Sequence, residues 1–183
     1  MSEPKAVATG VEEVVPGVWY WGIHDERIDA PGSAHAVSSH EGTVLIDPLP
    51  LAAEPMGELG AVSAICLTTS SHQRSSWRLR SELGVHVWAP ALVREIDEEP
   101  DERYAEGDVL PGGLEAIFTP DLFAHMPYAP LGMVPAQYMH DPEQARRSAG
   151  KLLELDFSIL CLGHGRPVTE DPHGAIRAAL AAD

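Results

Sequence analysis

The apolar run Ala64-Ile65-Cys66-Leu67 stops abruptly at Thr68 and gives way to the polar stretch Thr69-Ser70-Ser71-His72-Gln73-Arg74. The apolar part predicts a buried strand and the segment 71–83 the helix after it. The polar residues between them therefore stand at the carboxyl end of a strand, where open α/β folds place their chemistry. The design recurs near the end of the chain, where Ser158-Ile159-Leu160-Cys161-Leu162 predicts a second buried strand that delivers His164 between Gly163 and Gly165. Two strand ends offering polar groups suggest one shared cleft.

Upstream, Val14-Val15-Pro16-Gly17-Val18-Trp19-Tyr20-Trp21 mixes β-branched and aromatic residues about a Pro-Gly turn and predicts one or two short strands. Residues 24–34 read as a loop. Its His24, Asp25 and Glu26, like His35 and His40, read as solvated surface rather than ligands. His35-Ala36-Val37 and Thr43-Val44-Leu45-Ile46-Asp47 predict a hairpin turning at Glu41-Gly42. A weak helix over 51–59 leads to a βαβ crossover, made of a strand over 62–67, a helix over 71–83 and a strand over 85–88. Trp77, Leu79 and Leu83 supply part of that helix's buried stripe, and Gly84 permits the left-handed backbone that ends it. His86, alternating with Val85 and Val87, is a plain strand histidine.

A short helix is expected over 91–96, and a strand after Gly112-Gly113 running to Pro120. From 121 to 140 the periodicity fails. Pro127, Pro130 and Pro135, with Met126, Tyr128, Met133 and Tyr138, predict an ordered apolar loop without regular structure. Asp141-Pro142-Glu143-Gln144 starts a helix, with Asp as N-cap, Pro at the first helical position and Gln reaching back. Ala145, Ala149, Leu152 and Leu153 form its buried stripe. Asp171-Pro172 caps a last helix whose Ile176, Ala179 and Leu180 pack inward.

At 183 residues the chain suits one domain, 1–183, with a full hydrophobic core. Twelve basic against 28 acidic residues give a formal charge of -16, which excludes nucleic acid and anionic membranes as expected partners. Much of the acid lies in 95–102 and reads as a solvated face, with calcium binding as the alternative. Cys66 and Cys161 each lie inside an apolar strand, as buried hydrophobes rather than a disulfide, which fits a reducing compartment. Met1-Ser2-Glu3-Pro4-Lys5 lacks a signal pattern and no apolar run reaches bilayer length, so a cytoplasmic protein is expected.

With this order of elements the chain resembles the metallo-β-lactamase-fold superfamily along nearly its whole length. Val15-Pro16-Gly17-Val18 is similar to the opening strands, Thr43-Val44-Leu45-Ile46-Asp47 to the strand ending in Asp, and Leu67-Thr68 to the lead-in to the metal motif. The segment 141–167, with Gly163-His164-Gly165, is the most similar piece. The resemblance implies an α/β fold, a somewhat truncated four-layer αββα sandwich of two mixed β-sheets with the site at one sheet edge.

The family's metal motif is His-x-His-x-Asp-His directly after that Leu-Thr, because clustered imidazoles and a carboxylate at a strand end hold two zinc or iron ions and activate a bridging water. Laid on without gaps, the four positions are Thr69, Ser71, Gln73 and Arg74. Shifting by one residue recovers His72 alone, with Ser70, Arg74 and Ser75 at the others. Where the family has Gly-His, this chain reads Asp121-Leu122-Phe123 after Thr119-Pro120, and the strands that bring the bridging Asp have no counterpart in the proline-rich run 120–141. His164 alone falls on a family ligand position, and one imidazole does not hold a catalytic metal. The resemblance thus implies no cofactor, with zinc or iron expected only if His164 is joined by His72 or His125. A guanidinium at a ligand position would repel a divalent cation and replace its charge, so Arg74 is expected to point into the site near Asp47 or Asp121; the alternative is a helix-surface arginine.

Three functional readings follow. In the first the chain is a pseudoenzyme whose cleft, formed by Asp47, Thr69, Ser71, His72, Arg74, Asp121 and His164, binds a small molecule or an anion, while apolar residues of 123–138 line a pocket or a homodimer contact. In the second it is a hydrolase. One metal is then assembled from His164 with His72, His125, Asp121 or His140, or Ser70 or Ser71 is the nucleophile with His164 as base; helix N-capping accounts for both serines without catalysis. In the third an anion sits at the amino end of the 71–83 helix, against backbone N–H groups, the hydroxyls of Thr69 and Ser70, and Arg74.

Overall fold

A computed structural model describes residues 3–105, 108, 110–111 and 116–182, which divide into two compact units, Met1–Leu114 and Glu115–Asp183. No helix among the described residues is long and apolar enough to cross a membrane.

The first unit is built on a seven-stranded mixed sheet. Strands β1 (Glu12–Val15), β2 (Val18–Asp25), β3 (Ala30–Ser39) and β4 (Gly42–Ile46) pair antiparallel in chain order. After helix α1 (Ala53–Glu58), β5 (Val62–Cys66) lies parallel to β4; after helix α2 (Ser76–Leu83), β6 (His86–Pro90) lies parallel to β5, and β7 (Glu102–Tyr104) closes the sheet, parallel to β6. The central strands carry continuous apolar runs because both their faces are covered. Leu45, Ile65 and Val87 are wholly buried in a core shared with Trp21, Leu49, Leu67 and Leu79.

Five expectations for this unit are corrected. Residues 24–34 are mostly strand: Ala30, Pro31, Gly32 and Ser33 have little β-propensity, but β2 pairs with them residue by residue, and that long-range ladder overrides local preference. Asp25 and His35 are buried rather than solvated. The helix over 71–83 divides into a 3-10 turn, Ser70–His72, and α2, because Arg74 takes a left-handed φ of 41° that no α-helix accommodates. Leu83, near the end of α2, is exposed. The helix over 91–96 is absent. The fully buried amide of Gln73 donates to the Glu95 carbonyl at 3.2 Å and accepts from the Asp97 N–H at 2.6 Å, so it engages backbone groups that a helix would use. The acidic side chains of 95–102 are exposed, as expected of a solvated face, while Gln73 holds the backbone at Glu95 and Asp97. Gly84 does end α2, at φ 68°.

The second unit carries a three-stranded mixed sheet in the order β10-β8-β9, made from β8 (Ala116–His125), β9 (Gly132–Met133) and β10 (Ile159–Gly165). Helices α3 (Pro142–Leu152) and α4 (Pro172–Ala181) complete it. Phe123, Leu160, Leu162, Ile176 and Ala149 form its core. Regular structure extends into 121–140, where none was expected. Strand β8 runs through Pro120 to His125, β9 returns beside it, and Ala136–Tyr138 form a 3-10 turn. Pro120 is tolerated because the β10–β8 register shifts between Leu162 and His164, a bulge where a missing N–H costs no ladder bond. The expected lead-in at 112–115 lies outside the described residues. Asp141 caps α3 by accepting from the Gln144 N–H at 2.8 Å, while the Gln144 side chain turns forward to Arg147 instead of reaching back.

Candidate functional site

In the first unit the polar cluster is organised by Asp47, which follows β4 in a left-handed conformation, φ 47°. Its N–H donates to the Cys66 carbonyl at 3.0 Å, tying the ends of β4 and β5 together. One carboxylate oxygen accepts from the Thr68 N–H at 2.8 Å; the other accepts from the Thr68 hydroxyl and lies 3.1 Å from His72 Nδ1. A carboxylate only accepts, so Nδ1 carries the proton, and in the neutral ring Nε2 is the acceptor. Beyond β5, Tyr104 donates its hydroxyl to the Leu67 carbonyl at 2.6 Å and closes the strand end on which the turn is mounted.

Arg74 is buried, 5% exposed. Its guanidinium donates to the Ser33 carbonyl on β3 at 2.5 Å and to the Asp47 carbonyl at 3.2 Å. It is not a helix-surface arginine. Half-buried Arg27, bonded to buried Asp25 at 2.5 and 2.8 Å, holds the Asp25 carboxyl below its ordinary range, and the field of Arg74 adds to that effect. Nearby His35 is pushed down to about 3, first by burial and then by the Arg74 charge, with Asp47 opposing; it is a neutral ring at any ordinary pH.

Thr69 and Ser71 are half-buried with hydroxyls 3.3 Å apart. Ser70 and Ser71 belong to the 3-10 turn and do not cap α2, whose N-cap is Ser75; the capping role expected of them does not hold. Gln73 stands at the carboxylate position of the gapless motif, and its amide is fully used, bonding to Ser70, Trp77, Glu95 and Asp97.

In the second unit His164 leaves the end of β10 with Nε2 3.4 Å from Asp121 Oδ1, their side chains 18% and 48% exposed. Gly165, at φ 98°, is required: a Cβ there would run into the His125 carbonyl on β8. The neighbouring His125 lies with Nδ1 3.1 Å from the Arg166 carbonyl, and His140 is exposed. Burial pushes the thiols of Cys66 and Cys161 up to about 12, so both are inert.

Each unit thus assembles part of the expected set: Asp47, His72 and Arg74 in the first, with Thr69 beside Ser71, and Asp121 with His164 in the second. Sequence reasoning missed Thr68, Ser33 and Asp25. Thr68 is signalled by its place directly after the strand, whereas Ser33 takes part through its carbonyl, which no side-chain pattern announces. The residues at the gapless motif positions do not fit a dinuclear metal. Two are neutral hydroxyls, one is a committed amide, and the fourth is a buried cation.

Solved structures similar to this chain include TMB-1, with a TM-score of 0.71 and 14% identity over 97% of this chain and 98% of that one. DIM-1 metallo-β-lactamase matches with a TM-score of 0.70 and 11% identity over 97% and 98%. The metallo-β-lactamase FIM-1 of Pseudomonas aeruginosa in its mono-zinc form matches with a TM-score of 0.66 and 13% identity over 97% and 96%. The chain has the metallo-β-lactamase fold. No family model matches the sequence, and no curated protein matches it. Within this fold the chain carries Asp47 directly after β4 and Gly163-His164-Gly165 at the end of β10, while the segment after β5 carries hydroxyls, an amide and a guanidinium.

Proposed function

We propose that this metallo-β-lactamase-fold protein has exchanged its dinuclear metal site for an internal cation and acts as a non-hydrolytic binder of a small polar or anionic molecule. One observation carries the reading: Arg74, at a motif position, is buried with its guanidinium on the Ser33 and Asp47 carbonyls. A fixed positive charge there disfavours a divalent cation, and the Asp47 carboxylate is already engaged by Thr68 and His72. The half-buried hydroxyls of Thr69, Ser70 and Ser71 supply polar contacts for a ligand.

The deciding experiment is metal content by inductively coupled plasma mass spectrometry, on untagged protein purified without chelator and again after loading with zinc, iron or manganese and desalting. Protein that stays metal-free in every condition supports the reading. Near-stoichiometric metal that is lost in His164→Ala overturns it.

A second reading is an active hydrolase that uses a reduced or relocated metal site, with His164 and Asp121 among its ligands, or a Ser/His pair. Two observations favour it. Asp47 holds His72 through Nδ1, the support that histidines acting through Nε2 as ligand or base commonly have, and Asp121 stands beside a solvent-accessible His164. Metal lost in Asp121→Ala as well as in His164→Ala would establish its metal form.

A further inference from the structure

Of three non-glycine residues of the first unit with left-handed backbones, two, Asp47 at φ 47° and Arg74 at φ 41°, are joined by a hydrogen bond from the Arg74 guanidinium to the Asp47 carbonyl. Such conformations persist only where surrounding contacts over-determine them. Here the contacts converge on one group. The same guanidinium nitrogen reaches the Ser33 carbonyl at 2.5 Å, so it links β3 to the residue that follows β4. Charge-assisted bonds in a buried setting are strong and directional, and carbonyl acceptors leave the cation its charge, whose field reaches the Asp25 carboxylate. The orientation of Asp47 matters beyond its own backbone, because its carboxylate holds His72 through Nδ1.

We infer that Arg74 is a positioning residue: its guanidinium is a built-in cationic crosslink that fixes Asp47 and, through Asp47, the Nδ1-protonated tautomer of His72. The inference rests on the proposed absence of a metal from this cluster, since a cation supplied by the chain would do the crosslinking that a bound ion would otherwise do. It predicts that the missing group can be supplied from solution.

The test uses the full chain with Arg74→Ala, and Arg74→Met as a variant that keeps the volume without the charge. Readouts are the melting temperature and the His72 tautomer from long-range nitrogen–proton correlations. Both variants are expected to melt roughly 5–10 °C lower and to show His72 as a mixture of tautomers. Millimolar ethylguanidinium should restore both readouts in Arg74→Ala, and ethylammonium neither. A folded variant with an unchanged His72 tautomer, or one that ethylguanidinium does not restore, overturns the inference. If neither variant folds, refolding in ethylguanidinium decides: recovery of Arg74→Ala supports the crosslink and no recovery removes it. Zinc titration of the unaltered protein runs alongside. Zinc bound there overturns the metal-free reading, whatever the variants do.

Discussion

His72 and Asp47 form a buried pair, Nδ1 to Oδ2 at 3.1 Å, with side chains 4% and 6% exposed. The pair exists because β4 and β5 run parallel and side by side, so residues just past their ends meet although they are far apart in sequence. The Thr68 N–H and hydroxyl also donate to the carboxylate.

Asp47→Asn tests that arrangement with little change of shape. Asparagine tolerates the left-handed backbone at this position, so the effect isolates the lost charge and acceptor. An amide can put its NH2 where the carboxylate accepted, so the Thr68 hydroxyl must turn and His72 change tautomer or lose the bond, at a cost of about 1–3 kcal/mol. Urea unfolding should show the midpoint falling with an unchanged slope; a midpoint within error of the parent would contradict the pairing.

Gln73→Ala removes a buried amide that joins the 3-10 turn, α2 and the acidic segment. We expect a loss of about 2–3 kcal/mol and faster amide hydrogen exchange at Asp97, whose N–H donates to Gln73 at 2.6 Å. Unaltered exchange at Asp97 would mean the acidic segment is held by its Arg80 and Arg103 contacts alone.

His35 should make stability depend on pH. Burial holds its folded pKa down at about 3, against an ordinary value of 6.5. Between those values the unfolded chain binds a proton that the folded chain does not. The His35 contribution is therefore whole above pH 6.5 and is lost as pH falls toward 3, by up to about 1.4 kcal/mol per pH unit. Urea midpoints measured from pH 7.5 to 4.5 in the parent and in His35→Gln should diverge in slope, the variant being the flatter. Parallel curves would show that His35 does not remain neutral.

Gly165→Ala and Gly150→Ala should act in opposite directions. At Gly165 a Cβ meets the His125 carbonyl and the backbone is left-handed, so we expect a loss of about 2 kcal/mol or more, with a changed His164 ring signal. At Gly150, inside α3, a Cβ would meet nothing within 4 Å, and alanine should stabilise by about 0.5–1 kcal/mol. Thermal unfolding of the two variants side by side checks both signs.

The sequence by itself determined the fold through features that act locally. The apolar runs of β4, β5 and β10, the Asp-Pro starts of α3 and α4, and Gly84 at the end of α2 each carry a cause inside a few residues, and the order of these elements pointed to the metallo-β-lactamase fold. It also showed hydroxyls, an amide and a guanidinium at the motif positions. Only the tertiary structure decided what those groups do. That 30–33 pair as strand, that Gln73 takes backbone groups 95–97 would use in a helix, and that Arg74 leaves the helix to reach Ser33 and Asp47 are outcomes of contacts between segments distant along the chain. A buried cation or amide is placed by the carbonyls and N–H groups it must satisfy. Every residue offers those backbone groups alike, so their positions are written in the fold and not in any side-chain pattern.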